Sequence, residues 1–181
     1  MDFERVTAPD HPDFDWAFRL YEDSFPLHER RTRPAQEARL SCPDYHFDLL
    51  REGEELQGIL LWWEGPGLRY VEHFAVAPQL RGRGVGARAL ARFRAQGEPV
   101  VLEIDPPVDP VSQSRRGFYL RCGFQENPWP HVHPPYRAGF SGHPLVVLSA
   151  PGALAREDYG RFARCLEEIV MSDCVPPLEG D

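Results

Sequence analysis

The hexapeptide Arg81-Gly82-Arg83-Gly84-Val85-Gly86 joins the apolar run "VEHFAV" to a stretch with helical periodicity. Glycines before a helix let backbone N–H groups turn toward an anion, and the helix dipole adds to the attraction. Two arginines inside the loop make phosphate the best match. A plain helix start needs one glycine or none, so spacing and charge both favour the phosphate reading. Three phosphate loops compete. A Walker-type loop needs Gly-Lys-Ser/Thr, and all 20 Lys+Arg positions in this chain are arginine. "GRGVGA" from Gly82 fits the dinucleotide fingerprint Gly-x-Gly-x-x-Ala, with Glu103 about 20 residues on. Its context is wrong: "APQLR" separates strand from glycine, and the preceding strands form a meander instead of a βαβ unit.

Other side chains that can do chemistry lie on both sides of the loop. In "RYVEHFAV", strand alternation puts Tyr70 and Glu72 on one face and Val71 and His73 on the other. His73 has the right intrinsic basicity for a proton acceptor near neutral pH, with a role inside the fold as its alternative. Tyr119 lies in "GFYLRCGF", where a hydroxyl argues against a purely apolar packing role. Glu103 and Asp105 end an apolar strand. Cys42, Cys122, Cys165 and Cys174 form no Cys-x-x-Cys pair, and His131 and His133 have no third ligand nearby in sequence. Neither a disulfide framework nor a metal site is expected.

The elements that must position these residues are readable from apolar spacing. "FERVTA" reads as a strand, "DFDWAFRLYEDSF" as a helix, and a short helix starts near Pro34. "YHFDLLRE", "LQGILLWWE" and "LRYVEHFAV" read as an antiparallel meander separated by "GEE" and "GPG". Trp62 and Trp63 alternate faces there, so one is expected in the core and the other against a ligand. An amphipathic helix runs through Gln96, followed by the strand "PVVLEID" and a helix ending at Gly123. "FQEN", a loop rich in Pro, His and aromatic residues, the strand "PLVVLS" and a last helix over 153–171 complete an α+β order.

At 181 residues, 42% hydrophobic and 27% charged, the chain reads as one globular domain spanning 1–181. The net charge of −8 argues against a nucleic-acid groove and suits a cationic small molecule. "GILLWW" is too short to cross a membrane, and "MDFERVTAPD" has no signal-peptide pattern, so no membrane partner and a cytoplasmic location are expected.

Arg81-x-x-Gly84-x-Gly86 together with Phe118-Tyr119-x-x-x-Gly123-Phe124 resembles the Gcn5-related N-acetyltransferase superfamily, over about residues 3 to 149. The resemblance implies a mixed, largely antiparallel sheet flanked by helices, with the helix at 153–171 as an addition. It implies acetyl-CoA as cosubstrate, with Arg81, Gly82, Arg83, Gly84, Val85, Gly86 and Ala87 around its pyrophosphate. Backbone N–H groups at Phe74, Ala75 and Val76 would pair with the pantetheine arm and polarise the thioester carbonyl. Ser112 stands where many members carry an asparagine that contacts pantetheine. Glu72 stands at the position that often supplies the general base, and Tyr119 at that of the general acid. "SFPLHERR" and "HVHPPYR" flank the acceptor end in this fold, which makes Glu29, Arg30, Tyr136 and Arg137 candidate acceptor contacts.

The expected function is acetyl transfer to a primary amine of a small molecule, by a monomer or homodimer without metal. A non-catalytic acyl-CoA-binding module and an acetyltransferase of protein N-termini or lysines are the alternatives.

Overall fold

The computed structural model describes residues 1–172, so Cys174 lies outside the described residues. Among the described residues nine strands and five α-helices follow the expected order, with one strand pair added. Contacts divide the chain into two compact units, one comprising Met1–Glu64 and Val71–Gln96, the other Gly65–Tyr70 and everything from Gly97 onward.

The first unit holds β1 (Asp2–Val6), α1 (Phe14–Ser24), α2 (Arg33–Arg39), β2 (Tyr45–Glu52), β3 (Glu55–Gly65) except its last residue, the greater part of β4 (Leu68–Val76), and α3 (Val85–Arg94). The strands lie in the order β1-β2-β3-β4. β1 pairs antiparallel with β2, and β2 with β3, with Phe47 opposite Leu61 and His46 opposite Trp62. That register sorts the side chains between two covered faces. Phe14 of α1 packs on Phe47 with ring centroids 5.6 Å apart, whereas Phe93 of α3 packs on Trp62 at 5.1 Å. Burial on both faces explains why "GILLWW" is continuously apolar.

Trp62 and Trp63 are therefore both core residues, and the expectation that one lines a ligand site is corrected. The indole N–H of Trp62 donates to Asp48 Oδ2 at 2.7 Å, and that of Trp63 to Glu72 Oε2 at 2.8 Å. One glycine in this unit is required by proximity. A Cβ on Gly58 of β3 would sit 2.3 Å from the carbonyl oxygen of Ala75 in β4.

The second unit holds β5 (Val100–Ile104), α4 (Pro110–Arg121), β6 (Gln125–Glu126), β7 (Val132–His133), β8 (His143–Pro144), β9 (Val146–Ala150) and α5 (Arg156–Cys165). β9 pairs antiparallel with both β5 and β6. Arg69 N–H donates to Pro99 O at 2.8 Å, tying the first residues of β4 to this unit. Gly123 takes φ +82°, the left-handed conformation that ends α4. The last helix starts three residues later than expected and continues through a π-helical turn, Leu166–Val170. The β7–β8 pair, whose first strand lies within "HVHPPYR", was not expected. Two-residue strands carry no period for a pattern to reveal.

Candidate active site

The glycine loop has the backbone of an anion cradle. Gly82 and Gly84 both take φ +76°, which a residue with a Cβ adopts only under strain; a Cβ would meet nothing at Gly82 and only the Arg88 guanidinium, at 3.8 Å, at Gly84, so conformation is what requires glycine there. Gly84 is the N-cap of α3. The N–H groups of Gly82, Gly84, Val85, Gly86 and Ala87 make no hydrogen bond among the described residues. The last three belong to the first turn of α3, where no preceding helical carbonyl exists to accept them. Arg81 is anchored through Nε to Val76 O at 3.1 Å, while the exposed Arg83 side chain makes no ion pair among the described residues. Free N–H donors, a helix N-terminus and two guanidinium groups fit a pyrophosphate. β4 stays partly open at Glu72, Phe74 and Val76. At Glu72 that exposure belongs to the main chain, because its side chain is 0% exposed.

The same side chain departs most from expectation. Glu72 Oε1 accepts from Arg31 Nη1, and Oε2 accepts from Trp63 Nε1. Arg31 is itself 1% exposed, and its guanidinium lies over the Trp63 ring, 5.8 Å from the centroid. Burial alone would raise the Glu72 pKa; the Arg31 charge, helped by His73 and the Trp63 hydrogen bond, outweighs it and holds the carboxyl below its ordinary value. Both oxygens of this carboxylate are thus engaged within the fold, and its side chain has no exposed surface. His73 is equally enclosed. Its Nε2 donates to Glu29 O at 2.8 Å, and the rings of Phe25 and Tyr21 pack on it with centroids 4.5 and 4.9 Å away. Alternation predicts opposite faces for Glu72 and His73, yet both reach the connector between α1 and α2.

Glu29 and Arg30 lie on that connector. Glu29 ends a 3-10 turn, Leu27–Glu29, with its carboxylate 3.3 Å from His28, and Arg30 Nη1 pairs with Glu22 at 2.5 Å. Arg31, the residue that anchors the connector, was not singled out in sequence. An arginine within "HERR" gives no sign of which copy turns inward.

In the second unit Tyr119 is buried against Phe118 and Phe124, but its hydroxyl makes no hydrogen bond among the described residues. Burial pushes its pKa up to about 12, so the hydroxyl keeps its proton. Ser112, expected at the pantetheine arm, has its hydroxyl engaged at the start of its own helix. Its Oγ bonds Asp109 O at 3.0 Å and Oδ2 at 2.8 Å, and accepts from Asp109 N at 3.1 Å, closing a capping box that starts α4. Tyr136 stacks on His133 at 4.8 Å between centroids, and Arg137 follows it, half-buried.

A polar cluster absent from the expectations surrounds Glu103. Its carboxylate accepts from Tyr70 OH and meets His131 Nε2, with His133 Nε2 at 3.8 Å. Tyr159 OH donates to Pro130 O at 2.9 Å, so His131 Nδ1, 3.0 Å away, must donate to that hydroxyl. At least one proton is therefore shared between His131 and Glu103. Burial opposes the charge on Glu103, and the two histidines with the Tyr70 hydrogen bond outweigh it, keeping the carboxyl low. Among the described residues no group of three or more His, Cys, Asp or Glu could hold a metal ion, and Cys42, Cys122 and Cys165 form no disulfide. No helix among them is long and apolar enough to cross a membrane.

Comparison with known proteins agrees with this geometry. Residues 43–126 match the family model of the acetyltransferase (GNAT) domain, a segment containing β2 to β6, the glycine loop and Tyr119. Over those residues the chain is similar to the Gcn5-related N-acetyltransferases. It resembles YjbC of Bacillus subtilis (strain 168), classed by name with the acetyltransferases, at 27% identity over 113 residues. That match covers 61% of this chain and 57% of YjbC, little more than half the relative's length. A GNAT-family protein of Bacteroides thetaiotaomicron superposes with a TM-score of 0.88 at 29% identity, over 94% of this chain and 98% of that one. The acetyltransferase from Elizabethkingia anophelis, solved with acetyl-CoA bound, shares the fold at a TM-score of 0.54 and 13% identity, over 82% of this chain and 95% of that one.

Proposed function

We propose that this protein transfers the acetyl group of acetyl-CoA to a primary amine on a small molecule. The observation that carries the proposal is the set of free N–H groups on Gly82 and on Gly84 to Ala87, in a loop shaped by two left-handed glycines and carrying Arg81 and Arg83. In this reading the loop takes the pyrophosphate. The β4 backbone from Phe74 to Val76, where Phe74 and Val76 are half-buried, pairs with the pantetheine amides and polarises the thioester carbonyl. Polarisation favours attack by the amine nitrogen, and collapse of the tetrahedral adduct expels the thiolate.

Tyr119 supplies the proton that the thiolate takes. Its retained proton and unengaged hydroxyl support the role. We assign the proton lost by the amine to solvent water, because Glu72 and His73 are engaged within the fold. Glu29, Arg30, Tyr136 and Arg137 are the proposed acceptor contacts. A protein substrate is the less favoured acceptor, since the α1–α2 connector is pinned at several points and offers little freedom to accommodate a chain. Incubating the protein with acetyl-CoA and a panel of primary amines, and following free CoA, tests the reading. Amine-dependent thiol release supports it; stoichiometric acetyl-CoA binding without any release would make the chain a binding module.

A further inference from the structure

Glu72 and His73 are consecutive residues of β4, and each holds a different point of one connector. Glu72 grips the Arg31 side chain, and His73 Nε2 grips the Glu29 carbonyl at 2.8 Å. A third tie runs from Arg31 N–H to Tyr21 OH at 2.8 Å, and Phe25, at the start of the connector, packs on the His73 ring. Arg30 is flanked on both sides by fixed neighbours. From this geometry we infer that Arg31 and Glu72 are positioning residues, which set where Glu29 and Arg30 stand for the amine acceptor. The inference rests on the proposed function for the identity of the acceptor, and on the structure alone for the tie.

The energetics favour placement over stability as the reason for the pair. Arg31 and Glu72 are 1% and 0% exposed, and removing two charges from water costs much of what their attraction returns. Well-packed apolar side chains at both positions would stabilise the core as well or better. A buried pair does what an apolar pair cannot, fixing one geometry through directed bonds to each oxygen. Trp63 completes it by donating to the second oxygen and stacking under the guanidinium. The groups facing the pair are Tyr21 from α1, Tyr45 from β2, Trp63 from β3 and His73 from β4. Arg31 stays charged at every working pH, as does Arg39, whose guanidinium lies over the Trp63 ring 5.7 Å from its centroid. Glu72 therefore remains a carboxylate whose task is to hold Arg31.

The test must separate placement from proton transfer and from loss of fold. Glu72→Gln strands a charged arginine in the core and can unfold the protein. The double variant Arg31→Met/Glu72→Leu removes both charges at similar volume and is the primary probe. It is expected to fold and to bind acetyl-CoA with a Kd within about twofold of the parent. Amide exchange at residues 27–31 is expected to speed up about tenfold or more, while exchange in α3 is unchanged. With the fastest of n-butylamine, spermidine and glycinamide as acceptor, KM for the amine should rise about tenfold with kcat within about twofold. The acidic limb of kcat/KM against pH should keep its midpoint. A fall in kcat of about a hundredfold with loss of that limb would make Glu72 the base and overturn the inference. Unchanged exchange at 27–31 would also overturn it, because the pair would then hold nothing. If no amine is acetylated by the parent protein, the proposed function fails, and the exchange comparison still decides whether the tie exists.

Discussion

At the scale of single residues, chemistry and packing divide along hydrogen-bond availability. Tyr119 and Glu72 are both buried, yet one has an unengaged polar atom and the other has none. Because the Tyr119 hydroxyl makes no bond within the described protein, Tyr119→Phe should leave the melting temperature nearly unchanged. Its effect should fall on turnover, with kcat reduced about a hundredfold and the KM for acetyl-CoA little altered, as steady-state kinetics would read. Unaltered turnover would return Tyr119 to the core. Gly84→Asp should act earlier in the reaction. It forces a side chain into φ +76° and sets a negative charge among the free N–H groups, so calorimetry should find acetyl-CoA affinity weakened at least about a hundredfold. Normal binding by a folded Gly84→Asp protein would remove the pyrophosphate from this loop.

Among elements, apolar period and glycine spacing reveal the strands and helices, because burial on one or two faces repeats along the chain. Partner choice across the sheet leaves no such repeat. Nothing in "RYVEHFAV" says that Glu72 meets an arginine 41 residues earlier, and nothing in "PVSQS" says that Ser112 turns back to Asp109. The glycine loop was legible because two of its residues, Gly82 and Gly84, take a left-handed backbone that favours glycine. The β2–β3 pairing supplies a prediction of the same long-range kind. Asp48 is buried opposite Leu60, beside Trp62, and burial raises its pKa to about 6, more than the Trp62 hydrogen bond and the Arg5 charge lower it. The folded protein thus binds this proton more tightly than the unfolded chain. Stability from Asp48 is fully present below pH 4 and is lost as pH rises to about 6. Asp48→Asn keeps the acceptor for Trp62 without the charge. It should raise stability by about 2–3 kcal/mol at pH 7.5, with the gain vanishing below pH 4. Denaturant melts at the two pH values would show it; equal melts at pH 7.5 would mean that Asp48 carries no buried charge.

For the whole molecule, the chain carries a net charge of −8 and offers no ε-amine, since its 20 basic side chains are all arginine. Arginine stays protonated and is a poor nucleophile, so the protein gives a bound thioester no lysine to acylate. This lets one mass-balance experiment follow the acetyl group to every destination. The protein would be incubated with isotopically labelled acetyl-CoA and an amine that promotes CoA release, and label would be quantified on the amine, in free acetate and on the intact protein. We predict one labelled amide per CoA released, little acetate, and at most one hydroxylamine-resistant acetyl group on the chain, at its α-amino group. Release of CoA accompanied by acetate alone, or by two or more stable acetyl groups on the lysine-free protein, would contradict transfer to an amine acceptor.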